Sequence, residues 1–132
     1  MTAVKQGRGY VYAIQYHIVW CVKDRHSMLL GDIGIGLEEI LHRIAADNGF
    51  TISEIECNGD HVHLLLECTP QHSIPNMIKT LKGVSARLLF KEFPVLKKKG
   101  GQKLWNPSYF VATVSEQLEA QIRQYIQHQK AR

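Results

Sequence analysis

Apolar and polar residues recur with two periods along this chain, and the two periods separate strands from helices. The segment Tyr10 to Val22 is rich in aromatic and β-branched residues and predicts a long first strand. Phe50 to Cys57, His61 to Cys68 and Tyr109 to Val114 predict three more strands. Asn58-Gly59 is a strong tight-turn signal, so the second and third predicted strands should form an antiparallel hairpin.

Helical spacing appears in three further segments. A first helix is indicated by apolar residues that fall on one face and by a stop signal at Asn48-Gly49. The apolar residues are Leu37, Ile40, Leu41, Ile44 and Ala45. A second helix is expected from a Ser73 cap to about Phe93, with its polar face carrying several cations. A last helix is expected over 115–131, with Ser115 as its cap.

The order of these elements predicts an α+β domain with the ferredoxin-like split βαβ arrangement. In this arrangement the first and third strands lie in the middle of an antiparallel sheet, and both early helices cover one face. The other face then stays open, and the last helix is an addition to the unit. We expect one domain over 1–132, with 1–9 as a flexible N-terminal segment.

Composition narrows the setting in which this domain works. Hydrophobic residues make up 45% of the 132 positions, which is enough for one ordinary core. The N-terminus lacks the apolar region of a secretory signal, and no apolar run is long enough to cross a bilayer. Three cysteines without a C-x-x-C pair favour reduced thiols over disulfides, although Cys57 and Cys68 could join a histidine at zinc. We expect a cytoplasmic protein with no membrane association.

Positive charge is concentrated in about one fifth of the chain. Between Lys79 and Lys103 eight basic residues stand against a single acid, Glu92, which gives this segment a charge of +7 in a chain of net charge +4. Such an excess is typical of a surface that binds a polyanion, although a solvated helix face and a lysine-rich loop would give the same pattern. The candidate DNA-binding residues are Lys79, Lys82, Arg87, Lys97, Lys98, Lys99 and Lys103.

Two histidines form the first candidate site. In His61-Val62-His63 the alternation of a strand places both imidazoles on one face and Val62 in the core. Two neighbouring imidazoles can present two nitrogens to one metal ion. An isolated H-x-H is more often a pair of partly exposed sheet histidines, so the motif alone does not distinguish a metal site from such a pair.

Tyr125 and Gln129 form the second candidate site. Their i, i+4 spacing stacks them on one face of the last helix. A tyrosine nucleophile would then lie one turn from an amide oxygen that could ligate a metal, but a packed tyrosine on an amphipathic face would show the same spacing. A carbonyl oxygen beside two imidazoles suits Mg²⁺ or Mn²⁺. The sequence contains neither the phosphate-binding motif G-x-x-x-x-G-K-[ST] nor the zinc-protease motif H-E-x-x-H, so nucleotide binding and zinc-protease chemistry have no motif to support them.

Several spaced motifs together resemble one family. The segments NGDHVHLLLE, SIPNMIKTLKGVSARLLF followed by FPVLKKK, LWNPSYFVATV and YIQHQ are similar, in this order, to the single-tyrosine HUH transposases (TnpA-like) of bacterial and archaeal insertion sequences. The resemblance spans about Tyr10 to Lys130. The chain departs from the family pattern at Lys23-Asp24-Arg25, where an aromatic is expected between the basic residues, and at Ser115, where a glycine is expected.

The resemblance implies a function and a role for each matching residue. Tyr125 matches the nucleophile, and His61, His63 and Gln129 match the ligands of a divalent metal, Mg²⁺ or Mn²⁺. The implied activity is cleavage and rejoining of single-stranded DNA at element ends that carry subterminal hairpins, through a 5′-phosphotyrosine intermediate. The family further implies a homodimer in which the tyrosine helix of one subunit serves the histidines of the other.

Two other functional classes stay open at this point. A non-catalytic single-stranded nucleic-acid-binding module on the same fold would need aromatic residues on the third strand, where HVHLLLE has none. A domesticated, inactive transposase would bind DNA without cutting it. Exposed aromatics such as Tyr16 or Trp105 could stack on bases, although Trp105 could equally anchor the core. Gln15 or His17 could face the site, with His17 more simply a satisfied sheet histidine.

Overall fold

Ten helices and strands are seen in the computed structural model, which describes residues 4–100, 103–113 and 118–129, except the side chains of 99, 100 and 118–121. In chain order they are β1 (Lys5–Gly7), β2 (Tyr10–Tyr12), β3 (Ile14–Cys21), α1 (Asp32–Asp47), β4 (Thr51–Cys57), β5 (His61–Cys68), α2 (Ile74–Glu92), α3 (Val95–Gly100), β6 (Phe110–Thr113) and α4 (Leu118–Gln129). A 3₁₀ turn, Lys23–Arg25, follows β3.

The central sheet has four antiparallel strands in the order β4-β5-β3-β6. The first and third predicted sheet strands, now β3 and β5, lie in its middle, which confirms the ferredoxin-like order. Their register pairs Val19 with His63 and Cys21 with His61. Because side chains of paired residues lie on the same face of a sheet, this register decides which groups can meet the two histidines.

One face of the sheet carries the core. Val62, Leu64 and Leu66 of β5 are fully buried, and they alternate with the histidines exactly as a two-residue period requires, so every second side chain points at α1 and α2. The apolar stripe predicted for α1 is buried as expected, and Ser73 caps α2 by accepting a hydrogen bond from the Asn76 amide at 3.4 Å. Burial of this face fixes the histidines on the opposite one.

The hairpin between β4 and β5 forms where Asn58-Gly59 predicts it. Gly59 adopts a φ of +67°, which residues with a Cβ rarely tolerate, and the Asn58 amide donates to the His61 carbonyl at 2.9 Å. The Leu29 amide donates to the Gly59 carbonyl at 2.7 Å, so the turn is also tied to the segment before α1. The start of β5, where His61 lies, is therefore held on two sides.

Two predicted boundaries are wrong. The predicted first strand, Tyr10 to Val22, divides at Ala13 into β2, which pairs with β1, and β3, which pairs with β5 and β6. Of the N-terminal segment 1–9, Lys5–Gly7 form β1, which meets β2 around a turn where Gly9 has a φ of +83°, and residues 1–3 lie outside the described part. The lysine run Lys97 to Lys99 belongs to helix α3 and not to a loop, since buried Leu96 anchors this turn against the core. The start of the last helix at Ser115 and its end at 131 lie outside the described residues. Within the described part, no helix is long and apolar enough to cross a membrane.

Candidate active site

Helix α4 packs on the open face of the sheet. Val19 of β3 is fully buried beneath Ile122, and Phe110, Ala112, Tyr125 and Ile126 complete this small apolar cluster. The helix thus covers the β3–β6 half of the face. The β5–β4 half stays accessible, with a depression of about 440 Å³ beside His63, Glu54 and Glu56. The two candidate sites of the sequence therefore meet on one face.

His61 is oriented by the residue before it. Its Nδ1 lies 2.9 Å from Asp60 Oδ1, and Asp60 Oδ2 accepts from Arg25 Nε at 2.8 Å. Burial opposes ionisation of Asp60, but the hydrogen bonds from His61 and Arg25 outweigh it and hold its pKa below the usual value. An ionised carboxylate can only accept, so His61 donates from Nδ1. Its Nε2 has a long contact of 3.5 Å to Asn58 Nδ2.

His63 has a second histidine as its neighbour. Its Nε2 lies 2.9 Å from Nδ1 of His17 on β3, and the two rings are tilted by 39°. Burial lowers the pKa of both histidines, and the proximity of His63 lowers the pKa of His17 further. Neutral imidazoles are the form that ligates metals. His17 therefore faces the site and is also a satisfied sheet histidine, as its position on a central strand allowed.

Gln129 brings a buried amide to the same face. The residue is 6% exposed, and its Oε1 has no hydrogen-bond partner among the described residues. A buried carbonyl oxygen without a donor is costly, and such an atom calls for an explanation such as an ion. Gln129 lies three residues beyond Ile126, whose carbonyl accepts from Arg25 at 3.2 Å, the guanidinium that also holds Asp60. The end of α4 is thereby tied to the hairpin that carries His61.

Tyr125 is half-buried one turn before Gln129. Its ring packs against Phe110 at 5.7 Å between centroids, and its hydroxyl donates to Ser108 Oγ at 3.0 Å. Ser108 is held by Lys82, whose ammonium donates to the carbonyls of Ser108 at 3.0 Å and Asn106 at 2.6 Å. The hydroxyl of Tyr125 is therefore placed by a short segment before β6, which is itself tied to β3 by the hydrogen bond from the Asn106 amide to the Cys21 carbonyl at 2.9 Å.

The donors present fit a hard or borderline divalent cation. Among the described residues no group of three or more His, Cys, Asp or Glu side chains could hold a metal, so His61 and His63 need a different third donor. The orphaned amide oxygen of Gln129 is of that kind. The zinc alternative with Cys57 and Cys68 is wrong, because both thiols lie on the core side and burial raises the pKa of Cys57 to about 12.

The basic residues divide into two groups. Lys79, Arg87, Lys97, Lys98 and Lys103 are exposed, as a DNA-binding surface requires, while the side chain of Lys99 lies outside the described residues. A shallow depression of about 400 Å³ lies between Lys79 and Arg87 on α2.

Lys82 differs from these exposed cations, and its contact with DNA stays a prediction. Its ammonium is turned inward to the two carbonyls of the segment before β6, and burial lowers its pKa to about 8.

The two aromatic residues proposed to stack on bases pack against the protein core instead. Tyr16 packs against the main core. Trp105 is 7% exposed, packs edge-on against Trp20 and donates from Nε1 to Ser85 Oγ at 3.1 Å, which makes it the core anchor. Asp60 and Ser108 are site residues that no sequence motif singles out by itself. Asp60 directly precedes His61 and Ser108 lies just before β6, and these positions within the family motifs NGDHVHLLLE and LWNPSYFVATV could have indicated them.

The single chain docks α4 on its own sheet. The family resemblance implies that the tyrosine helix serves the partner subunit, whereas here Ile122 and Ile126 cover the apolar patch around Val19 of the same chain. The residues that connect β6 to α4 lie outside the described part. A shared site between two chains stays a prediction.

Comparison with known proteins places this geometry in a family. Residues 10–129 match the family described as "Transposase IS200 like". The chain is 54% identical to the ISDra2 transposase TnpA of Deinococcus radiodurans, over 96% of this chain and 91% of that protein. It is 35% identical to the transposase for insertion sequence element IS200 of Salmonella typhimurium, over 87% of this chain and 76% of the relative.

Solved structures agree with the fold. A crystal structure from Deinococcus radiodurans, described as a candidate transposase, superposes with a TM-score of 0.92 at 52% identity and covers 95% of this chain and 97% of that one. The REP-associated tyrosine transposase bound to a REP hairpin superposes with a TM-score of 0.58 at 13% identity, over 83% of this chain and 61% of that one, and this likeness supports the fold alone. The chain belongs to the IS200-like family of insertion-sequence transposases.

Proposed function

We propose that this transposase cleaves and rejoins single-stranded DNA through a covalent link to Tyr125, with His61, His63 and Gln129 as ligands of Mg²⁺ or Mn²⁺. The observation that carries the proposal is the docking of α4 on the histidine face. It brings a tyrosine hydroxyl and an orphaned amide oxygen to the face that presents the imidazoles of His61 and His63. Family membership supplies the broader activity, transposition.

Each residue has a separate task in this reaction. A divalent cation bound there would offset the negative charge of the scissile phosphate. The phenolic oxygen of Tyr125 attacks phosphorus and gives up its proton to solvent, and the bond to the 3′ oxygen breaks. The departing 3′ oxygen takes up a proton, so that a 5′-phosphotyrosyl link and a free 3′-hydroxyl result. Ser108 holds the hydroxyl before attack. A 3′-hydroxyl from another cut strand reverses the step, so rejoining consumes no nucleotide.

The DNA partner is proposed to be a single strand with subterminal hairpins. The exposed cations of α2 and α3 form a surface that suits phosphate backbones. A structural neighbour with the same fold is described as bound to a REP hairpin, which agrees with hairpin recognition. The transposase would act in the cytoplasm, where its DNA lies.

The test is direct trapping of the covalent adduct. Labelled single-stranded element ends are incubated with the protein and Mg²⁺, and the products are separated on a denaturing gel. A labelled band at the mass of protein plus DNA fragment, absent with EDTA, is expected. Hairpin binding without any adduct or cut product would instead identify an inactive, domesticated transposase.

We also propose a homodimer in which α4 can serve either its own sheet or that of the partner. Complementation separates the arrangements. Tyr125→Phe chains are mixed with chains that carry His61→Ala and His63→Ala under conditions of subunit exchange. A shared site leaves one intact centre in the heterodimer, so cleavage returns. A site confined to one chain keeps the mixture inactive.

A further inference from the structure

The turn after β3 holds two residues in an unusual backbone conformation. Asp24 has a φ of 58° and Arg25 a φ of 53°, a left-handed region that side chains with a Cβ disfavour. Such strain persists only where the surroundings over-determine it. Here the Lys23 amide donates to the Leu104 carbonyl at 2.9 Å and the Arg25 amide to the Val22 carbonyl at 2.8 Å. The strained turn aims one side chain, that of Arg25.

The guanidinium of Arg25 joins two elements that are far apart in the chain. Its Nε and one terminal nitrogen each lie 2.8 Å from Asp60 Oδ2. Its other terminal nitrogen donates to the Ile126 carbonyl at 3.2 Å. Ile126 lies in the last described turn of α4. Arg25 therefore contacts the backbone of the tyrosine helix while it holds the carboxylate of Asp60.

Asp60 extends this connection to the histidine. Its second oxygen, Oδ1, accepts from His61 Nδ1 at 2.9 Å. A carboxylate behind a histidine fixes the ring and its tautomer, and here the exposed nitrogen would be Nε2. With side chains 19% and 17% exposed, Arg25 and Asp60 are shielded enough for this geometry to persist. A continuous path of contacts thus runs from α4 through Arg25 and Asp60 to His61.

We propose that Arg25 and Asp60 are positioning residues that couple the docking of α4 to the orientation of His61. When α4 is docked, the Ile126 carbonyl completes the set of acceptors around the guanidinium and Asp60 stays aligned with His61. When α4 leaves the sheet, the guanidinium loses one acceptor and the alignment relaxes. The inference rests on the proposed function for its purpose, but its geometry can be tested without DNA.

Coupling predicts a cross-effect in the metal-free protein, in which a substitution at one end of the path of contacts changes a measured property at the other end. Arg25→Met should lower the population of the His61 tautomer protonated at Nδ1, measured by ¹⁵N NMR of the imidazole, although no hydrogen bond among the described residues joins Arg25 to His61. Asp60→Asn should speed hydrogen exchange of the α4 amides about tenfold, although none joins Asp60 to the described part of α4. A purely local role for either residue gives no cross-effect. Mn²⁺ affinity should fall about tenfold in both variants.

Conservative and control variants keep the test decisive. Arg25→Lys can reach one of the two acceptors and should give intermediate values, and it replaces Arg25→Met if circular dichroism shows that Arg25→Met does not fold. Lys23→Gln and Asp24→Asn remove exposed charges of the same turn and should leave both measurements at wild-type values.

The outcomes for the inference and for the proposed function are separate. Unchanged His61 tautomer and α4 exchange in folded Arg25 variants would overturn the coupling, even if the wild-type protein cleaves DNA. If the variants show the expected cross-effects but the wild-type protein forms no adduct, the coupling stands and the proposed reaction is refuted.

Discussion

Tyr125→Phe separates the chemistry of the tyrosine from its packing. The substitution removes one oxygen and keeps the ring, which packs against Phe110 in the apolar cluster under α4. The substitution removes the hydrogen bond from the hydroxyl to Ser108 Oγ at 3.0 Å. A neutral hydrogen bond contributes about 1 kcal/mol net, and at a half-buried site water replaces part of it. We expect a loss of at most about 1 kcal/mol, or roughly 3 °C in Tm.

Activity should respond in a different way. Without the phenolic oxygen no covalent adduct can form, so strand cleavage should fall below detection while hairpin binding is retained. Ser108→Ala is the matched control, because it removes the same hydrogen bond from the other side and leaves the nucleophile. It should cost similar stability and change the cleavage rate by less than about tenfold, which is roughly 1.4 kcal/mol of barrier.

The double variant completes the comparison. If both single variants lose the same hydrogen bond, the double variant should be no less stable than either single variant, with a coupling energy of about 1 kcal/mol. Urea unfolding measures stability, and a denaturing gel measures the adduct. Cleavage by Tyr125→Phe at the wild-type rate would remove Tyr125 from the mechanism. A stability loss above about 3 kcal/mol would show that the hydroxyl supports more than this contact.

Three further predictions concern the metal, the substrate and pH. His63→Ala should lower Mn²⁺ affinity in calorimetry by more than about tenfold and abolish cleavage, with a milder loss for Gln129→Ala; unchanged affinity in His63→Ala would exclude the proposed ligand set. Hairpin-bearing single strands should be cut and blunt duplex should not, and binding should weaken steeply with salt as phosphate contacts release counterions; equal cutting of duplex would contradict the single-strand proposal. Burial lowers the pKa of Lys82 from 10.5 to about 8. Between these two pH values the unfolded chain binds more protons than the folded chain, so the free energy of unfolding should rise with pH. Relative to Lys82→Met, the rise should be about 1 kcal/mol once solvent screening is included. Below pH 8 the difference in stability between the two proteins should be constant. A constant difference up to pH 11 would show that the carbonyls of Ser108 and Asn106 keep the ammonium charged.

The sequence alone determined the strand order and the face on which the histidines lie. A period of two in β5 separates Val62 from His61 and His63, and the apolar stripe of α1 requires a covered sheet face. These are local rules, because side-chain direction follows from backbone geometry within a few residues. The family motifs added the roles of Tyr125 and Gln129, which spacing alone could not separate from ordinary packing.

The tertiary structure decided the partners of each side chain. Lys82 lies on the polar side of the predicted helix, yet its ammonium is buried because the carbonyls of Asn106 and Ser108 come close to it only after the chain folds. His17 meets His63 through strand pairing across 46 positions of sequence. Arg25 reaches Ile126 across 101 positions, which no local pattern can encode. Periodicity fixes the direction of a side chain, whereas its neighbours depend on register and docking, and these are set by the packing of the whole domain.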